Sequence, residues 1–228
     1  MSKSRLLQQV RARLNINQGD LTRQQAVDDR INQHAVNTVP IQARQSHPIL
    51  VDLFEEHITQ SRATVARIDS IDVVVDEIQG YLGTSEFCIN AEVEELNLPF
   101  SECDELTLLP WKPKTSMTAC VTLCLGAVAE TGSLVIASSA LNGVSQNFLG
   151  EKHIVLLQAE NIVGAYEEMW QKVREAGTMP RDITLISGPS CTADIEMIIE
   201  DGAHGPRQLH VIIIGQSPTD YKPLPQVR

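Results

Sequence analysis

His153-Ile154-Val155-Leu156-Leu157, Ile183-Thr184-Leu185-Ile186-Ser187 and His210-Val211-Ile212-Ile213-Ile214 decide the fold. Each is a short apolar run, the length of a strand rather than of a buried helix. Between them lie Ile162 to Glu175, followed by Gly177, and Thr192 to Glu200, followed by Gly202. Both read as helices with glycine stops. Strand, helix, strand, helix, strand predicts a mostly parallel sheet flanked by helices, an α/β fold. In such sheets ligands sit beyond the carboxyl ends of the strands.

Moving towards the N-terminus, Ala119 to Ala137 is the most apolar stretch of the chain. Its Val, Leu, Cys and Ile content predicts buried strands, interrupted at Gly126 and at Glu130-Thr131-Gly132. Glu92 to Lys114 reads as irregular, broken by Pro99, Pro110 and Pro113, with Trp111 a loop anchor. Phe87 to Asn90 and Thr64 to Ile68 read as brief strands. Ser70 to Leu82 reads as a helix with Ser70 as N-cap and Gly83 as stop. Pro48 to Ser61 reads as a helix whose inner face is Ile49, Leu50, Leu53, Phe54 and His57. Asn15 to His47 is polar and reads as an extended arm with at most a short helix. Ser4 to Leu14 has Leu6, Leu7, Val10 and Leu14 at helical spacing. Residues 1–47 are therefore expected to be an N-terminal helix and arm, and residues 48–228 the α/β domain.

A chain of 228 residues can bury a substantial core without disulfides or metals. Aromatics are only 4%, so that core must be aliphatic. The net charge of −11 disfavours nonspecific binding to nucleic acid or to an anionic membrane. No apolar run approaches the roughly 20 residues of a membrane helix. Lys3, Arg5, Arg11 and Arg13, with no nearby acid, read as an exposed basic helix in preference to an organelle presequence. The five cysteines are odd in number, and Cys120 and Cys124 lack a familiar metal spacing. Buried small hydrophobes in a reducing compartment are the expectation, with no metal, no cofactor and a cytoplasmic location.

Three segments carry chemistry. Ser187-Gly188-Pro189-Ser190-Cys191-Thr192-Ala193-Asp194-Ile195-Glu196 joins an expected strand to an expected helix. Gly188 permits a tight turn, Ser190 and Thr192 suit caps, and Asp194 suits the positive end of a helix. The orphan amides there can hold an anion, or the segment is simply a capped helix. Ala129-Glu130-Thr131-Gly132-Ser133-Leu134 places a carboxylate between buried strands, which is costly unless it is paired or functional. Glu130 is either a base or nucleophile, or an acceptor that holds the turn. Gly202-Ala203-His204-Gly205-Pro206 offers His204 as an acid–base group or as a structural hydrogen-bonder. His153 reads as no more than a strand-start residue.

These three segments together, in order and spacing, resemble the LUD domain family. The resemblance implies a NagB/RpiA/CoA-transferase-like Rossmann-type sandwich. It also implies an accessory role in oxidising lactate to pyruvate, beside iron–sulfur partners of the LutA and LutB kind, with a small organic acid or nucleotide-like molecule as ligand. Glu130 and His204 are the catalytic candidates. Thr131, Gly132, Ser187, Gly188, Ser190, Thr192 and Asp194 are the candidate binders of a small anionic metabolite. Cys191 stands where that family often has a basic residue, and Leu141 to Asn147 carries no positive charge. Glu130-Thr131-Gly132-Ser133-Leu134 is also similar in outline to the nucleophile segment of CoA transferases, so group transfer through Glu130, or a noncatalytic ligand-binding scaffold, is the alternative.

Overall fold

Six strand segments pair side by side, the two central ones nearest the C-terminus buried along almost their whole length, on both faces. They are β1 (Thr64–Ile68), β2 (Ser85–Ile89), β3 (Leu106–Leu108), β4 (Met117–Leu123), β7 (Gly150–Gln158) and β12 (Gln208–Ile214), numbered in chain order. They form one sheet in the order β1-β12-β7-β4-β2-β3, and every pairing in it is parallel. The structure is a computed structural model that describes residues 3–16, 20–83, 85–110, 117–195 and 198–215.

Alternation along β7 assigns the two faces. Ile154 and Leu156 point into a core shared with Val74, Ile78 and Leu82 of helix α4 (Val74–Leu82). Val155 and Leu157 point the other way, into a core shared with Leu50, Phe54 and Ile58 of helix α3 (His47–Gln60). A second sheet joins α3 on that face. It consists of β8 (Ile162–Val163), β5 (Gly126–Val128), β6 (Ser133–Ala137) and β9 (Ile183–Ile186), in that order. There β5 and β8 are parallel, while β5 with β6 and β6 with β9 are antiparallel. Helix α6 (Tyr166–Glu175) closes its outer face, with Met169 packed against Val128, Val135 and Val163.

The expected parallel α/β sheet is present, with helices on its faces, and three local expectations are corrected. Ile183 to Ser187 does form a strand, but it joins the second sheet as β9, antiparallel to β6, and not the parallel sheet. Thr192 to Glu200 is not a helix. β10 (Cys191–Ile195) and β11 (Ile198–Asp201) form an antiparallel hairpin, with Thr192 opposite Glu200. Thr192, Ile195, Ile198 and Ile199 are β-branched and suit a strand better than their spacing suits a helix face. Likewise the helix expected from Ile162 begins only at Tyr166, because Ile162 and Val163 are taken up as a strand beside Ala127 and Val128.

The chain divides into two compact units, and the first covers Met1–Thr38. It holds α1 (Lys3–Arg13) and α2 (Leu21–Gln33), neither with a buried residue. The arm expected after Asn15 thus contains a 13-residue helix, capped by Asp20, whose carboxylate accepts from the Arg23 amide at 3.1 Å. The second unit begins at Val39 and holds both sheets. Cys88 and Cys120 are buried and adjacent across β2 and β4, Cys103 and Cys124 are half-buried, and Cys191 is exposed. Among the described residues no helix is long and apolar enough to cross a membrane.

Candidate functional site

The Glu-Thr-Gly segment is a 3-10 turn (Ala129–Thr131) between β5 and β6. Gly132 ends it at φ +60, a left-handed conformation that favours glycine. A Cβ there would stand 2.6 Å from the Ile58 amide nitrogen and 2.8 Å from the His57 carbonyl carbon. Gly132 is therefore required by the close approach of α3. His57 secures the same approach, its Nδ1 lying 2.8 Å from the Ala129 carbonyl oxygen. Glu130 is half-buried, and its Oε1 accepts from the Tyr166 amide at 3.4 Å, one of the orphan donors that open α6. Burial pushes the Glu130 carboxyl above the ordinary carboxylate range, against the opposing pull of that amide.

The next residue, Ser133, joins this segment to the second one. β6 and β9 pair with Leu134 opposite Ile186, which leaves Ser133 facing Ser187. Their hydroxyl oxygens are 2.6 Å apart. Thr131 lies 2.7 Å from Ser133, and the Tyr166 hydroxyl lies 2.8 Å from Ser133 and accepts from Thr131 at 3.0 Å. Ser133 and Tyr166 were not singled out from the sequence. Only the antiparallel register and the helix start bring them to this corner. Tyr166→Phe removes one shared hydroxyl and should cost about 1 kcal/mol of stability in urea denaturation. A change near zero would show the corner to be held by its backbone alone.

Past Ser187 the chain turns at Gly188, where φ is +142 and a Cβ would meet the Ser61 carbonyl oxygen at 2.6 Å. Ser190 then ties three strands of chain together. Its amide donates to the Pro206 carbonyl at 2.8 Å, its carbonyl accepts from Gly202 at 2.9 Å, and its hydroxyl oxygen accepts from the His204 amide at 3.3 Å. The serine-bearing turn and the Gly202 to Pro206 loop are thus adjacent, and with Asn147 and His153 they line a cavity of about 220 Å³. This cavity lies near the amino ends of β7 and β12, the edge opposite to the one expected for ligands. The loops that build it lead into those two strands rather than out of them.

Ser187, Gly188, Ser190 and His204 line this cavity; Glu130, Thr131, Gly132 and Thr192 do not. Thr192 and Asp194 lie on β10, so no helix N-terminus is available there for an anion, and the Asp194 side chain is outside the described residues. Trp111 also lies outside them. Two residues passed over in the sequence enter instead. Asn147 is 1% exposed, donates from Nδ2 to the Val144 carbonyl, and leaves a buried Oδ1 without a hydrogen-bond partner. His153 is equally buried, with Nε2 2.8 Å from the Thr122 hydroxyl, and burial pushes its pKa down to about 3. It is a neutral wall at physiological pH. No charged residue is among the described residues lining the cavity. Among the described residues no group of three or more His, Cys, Asp and Glu could hold a metal ion.

Fold and site define an α/β protein with a hydroxyl-rich corner and a small uncharged cavity at the sheet's amino edge. Residues 114–214 of the chain match the model of the LUD domain family. Lactate utilization protein C of Deinococcus radiodurans is 34% identical over 98 residues, 42% of this chain and 46% of that protein. YkgG of Escherichia coli strain K12 is 37% identical over 91 residues, 38% of this chain and 39% of that one. The matched stretch thus spans less than half the length of these relatives. A crystal structure of a DUF162 family protein from Deinococcus radiodurans shares the fold, with a TM-score of 0.59 at 24% identity over 75% of this chain and 99% of that one.

Proposed function

We propose that this chain is a ligand-binding accessory subunit of a lactate-utilisation system, acting beside iron–sulfur partners, and that the 220 Å³ cavity is where it receives a small hydroxy or keto acid. Relatives named lactate utilization protein C support the system. The observation that carries the site is the buried, unpartnered Asn147 Oδ1 beside Ser190 and His204. The Ser190 hydroxyl oxygen accepts from a backbone amide, so its own hydrogen is free to donate. With the His204 ring it offers donors to a carboxylate, while Asn147 offers an acceptor to a hydroxyl. That inventory matches lactate, and hydrogen bonds rather than a cation supply the recognition. Glu130 remains outside the cavity in this reading and serves to hold the start of α6.

Titration of the protein with L-lactate and pyruvate tests the site. Ser190→Ala should weaken binding about tenfold, as the loss of one hydrogen bond to a charged group does. Affinity purification from lactate-grown cells tests the system. The reading fails if no iron–sulfur protein co-purifies, neither acid binds, and deletion leaves growth on lactate intact.

A further inference from the structure

The opposite edge of the main sheet holds a larger cavity that the reading above does not use. β2 and β4 are neighbours, yet the chain leaves them in opposite directions. After β2 it moves outward to β3 at the sheet's edge; after β4 it passes through the second sheet to β7 on the other side. Adjacent parallel strands whose continuations part leave a crevice at their carboxyl ends, where doubly wound sheets bind ligands. A cavity of about 800 Å³ lies there, bounded by Glu92 of the short helix α5 (Ala91–Glu94) after β2, Leu123 and Leu125 at the end of β4, Asn142, and Arg181. Its size is that of a small-molecule site.

The polar groups around it are fixed in advance. Ser139 donates from its hydroxyl to one Glu92 oxygen at 2.7 Å, and Asn142 donates from Nδ2 to the other at 3.1 Å. The Ser139 hydroxyl oxygen in turn accepts from the amides of Leu141 and Asn142, at 3.1 and 3.0 Å. The carboxylate thus decides which way the Asn142 amide faces, because only the nitrogen can donate to it. That leaves Oδ1 as an acceptor, buried and without a hydrogen-bond partner, on a residue 2% exposed. Such an orphan is costly unless something fills it. Arg181 makes no ion pair among the described residues and supplies the cation that the cavity at the amino edge lacks.

We propose that this crevice is a second ligand site, for a small organic molecule that carries a carboxylate and a hydrogen-bond donor on the neighbouring carbon. Arg181 takes the carboxylate. The Glu92 carboxylate, fixed by Ser139 and Asn142, takes the donor, either a hydroxyl or an ammonium. The apolar walls at Leu123, Leu125 and Met179 take an aliphatic side chain. Ligands here therefore differ from those at the amino edge in needing a positive partner and in tolerating bulk.

Calorimetric titration of the full chain with L-leucine, L-2-hydroxy-4-methylpentanoate and 4-methylpentanoate tests this, since the three share a skeleton and differ only in the donor. At least one of the first two should bind saturably, and 4-methylpentanoate should bind at least about tenfold more weakly. A preference for leucine places an ammonium at Glu92, and a preference for the hydroxy acid places a hydroxyl there; either supports the site. Arg181→Gln and Asn142→Leu should each weaken binding about tenfold or more, whereas Gly80→Ala, on an exposed face of α4 and lining neither cavity, should leave it unchanged. The proposal is overturned by no saturable binding below about 10 mM, by equal binding of all three acids, or by wild-type affinity in Arg181→Gln. Arg181 is exposed, so its variant and the three acids decide the matter even if Asn142→Leu fails to fold. The amino-edge reading has separate probes and a separate variant, so the two stand or fall independently.

Discussion

Gly164→Ala is expected to destabilise the protein by about 3 kcal/mol or more, or to displace the segment from Val39 to Arg44. Gly164 sits between β8 and α6, and its carbonyl accepts from the Glu130 amide at 3.1 Å. A Cβ there would overlap the Ala43 carbonyl oxygen, lie 2.8 Å from the Ala43 carbonyl carbon, and lie 3.1 Å from a Glu168 oxygen. The first two are backbone atoms, so no side-chain rotation relieves the clash. Ala43 is itself fully buried, clustered with Val39 and Ala165. Gly80→Ala is the matched control, since Gly80 is exposed in the interior of α4 with nothing within 4 Å of an added Cβ. It should stabilise by about 0.5–1 kcal/mol, through helix propensity alone. Urea denaturation of both variants measures the contrast. A Gly164→Ala protein as stable as wild type would mean that the Val39 to Arg44 segment is not held against Gly164.

Acidification below pH 6.5 should unfold the protein progressively, with His153 as the largest single source. Unfolded, this histidine takes a proton near its ordinary value of 6.5; folded, burial holds it down to about 3. Below 6.5 the unfolded chain therefore binds a proton that the folded chain refuses. Stability is complete above that value and is lost as pH falls, by about 1.4 kcal/mol per pH unit and roughly 5 kcal/mol in all by pH 3. His47 and His210 are also pushed below the ordinary range, chiefly by burial, and add to the same slope. His153→Gln keeps a polar group near the Thr122 hydroxyl but cannot titrate. Its stability between pH 7 and pH 5 should fall about 2 kcal/mol less than that of wild type. Equal slopes for the two proteins would place the acid sensitivity elsewhere.

The parallel sheet was legible through its central strands β7 and β12, which are buried on both faces and therefore read as unbroken apolar runs. The strand from Thr64 to Ile68 has the limits its sequence suggests, and Gly83 ends α4 as its position implies. The hairpin of β10 and β11 was not legible. A short segment of mixed apolar and acidic residues satisfies helical and strand spacing about equally, and the choice falls to whatever it pairs with. The site was legible in the same uneven way. Gly132 and Gly188 announce themselves, because tight turns demand particular residue types. Ser190 was expected as a helix cap and instead stands before a strand. Ser133, Tyr166, Asn147 and His153 are ordinary residues in ordinary elements, and nothing local marks them.

The sequence by itself determined the α/β class, the aliphatic core, most of the strands and the three segments that resemble the LUD domain family. Those properties are local: they follow from side-chain period, backbone freedom and residue type. Only the tertiary structure decided which of the marked residues meet. It set Ser133 against Ser187 through strand register, gathered Ser190 and His204 around Asn147, and left Glu130 at the head of α6. It also decided which polar atoms lack partners, Asn147 Oδ1 at one edge of the sheet and Asn142 Oδ1 at the other. An unmet hydrogen bond depends on every neighbour in space, so it exists only once the chain has folded.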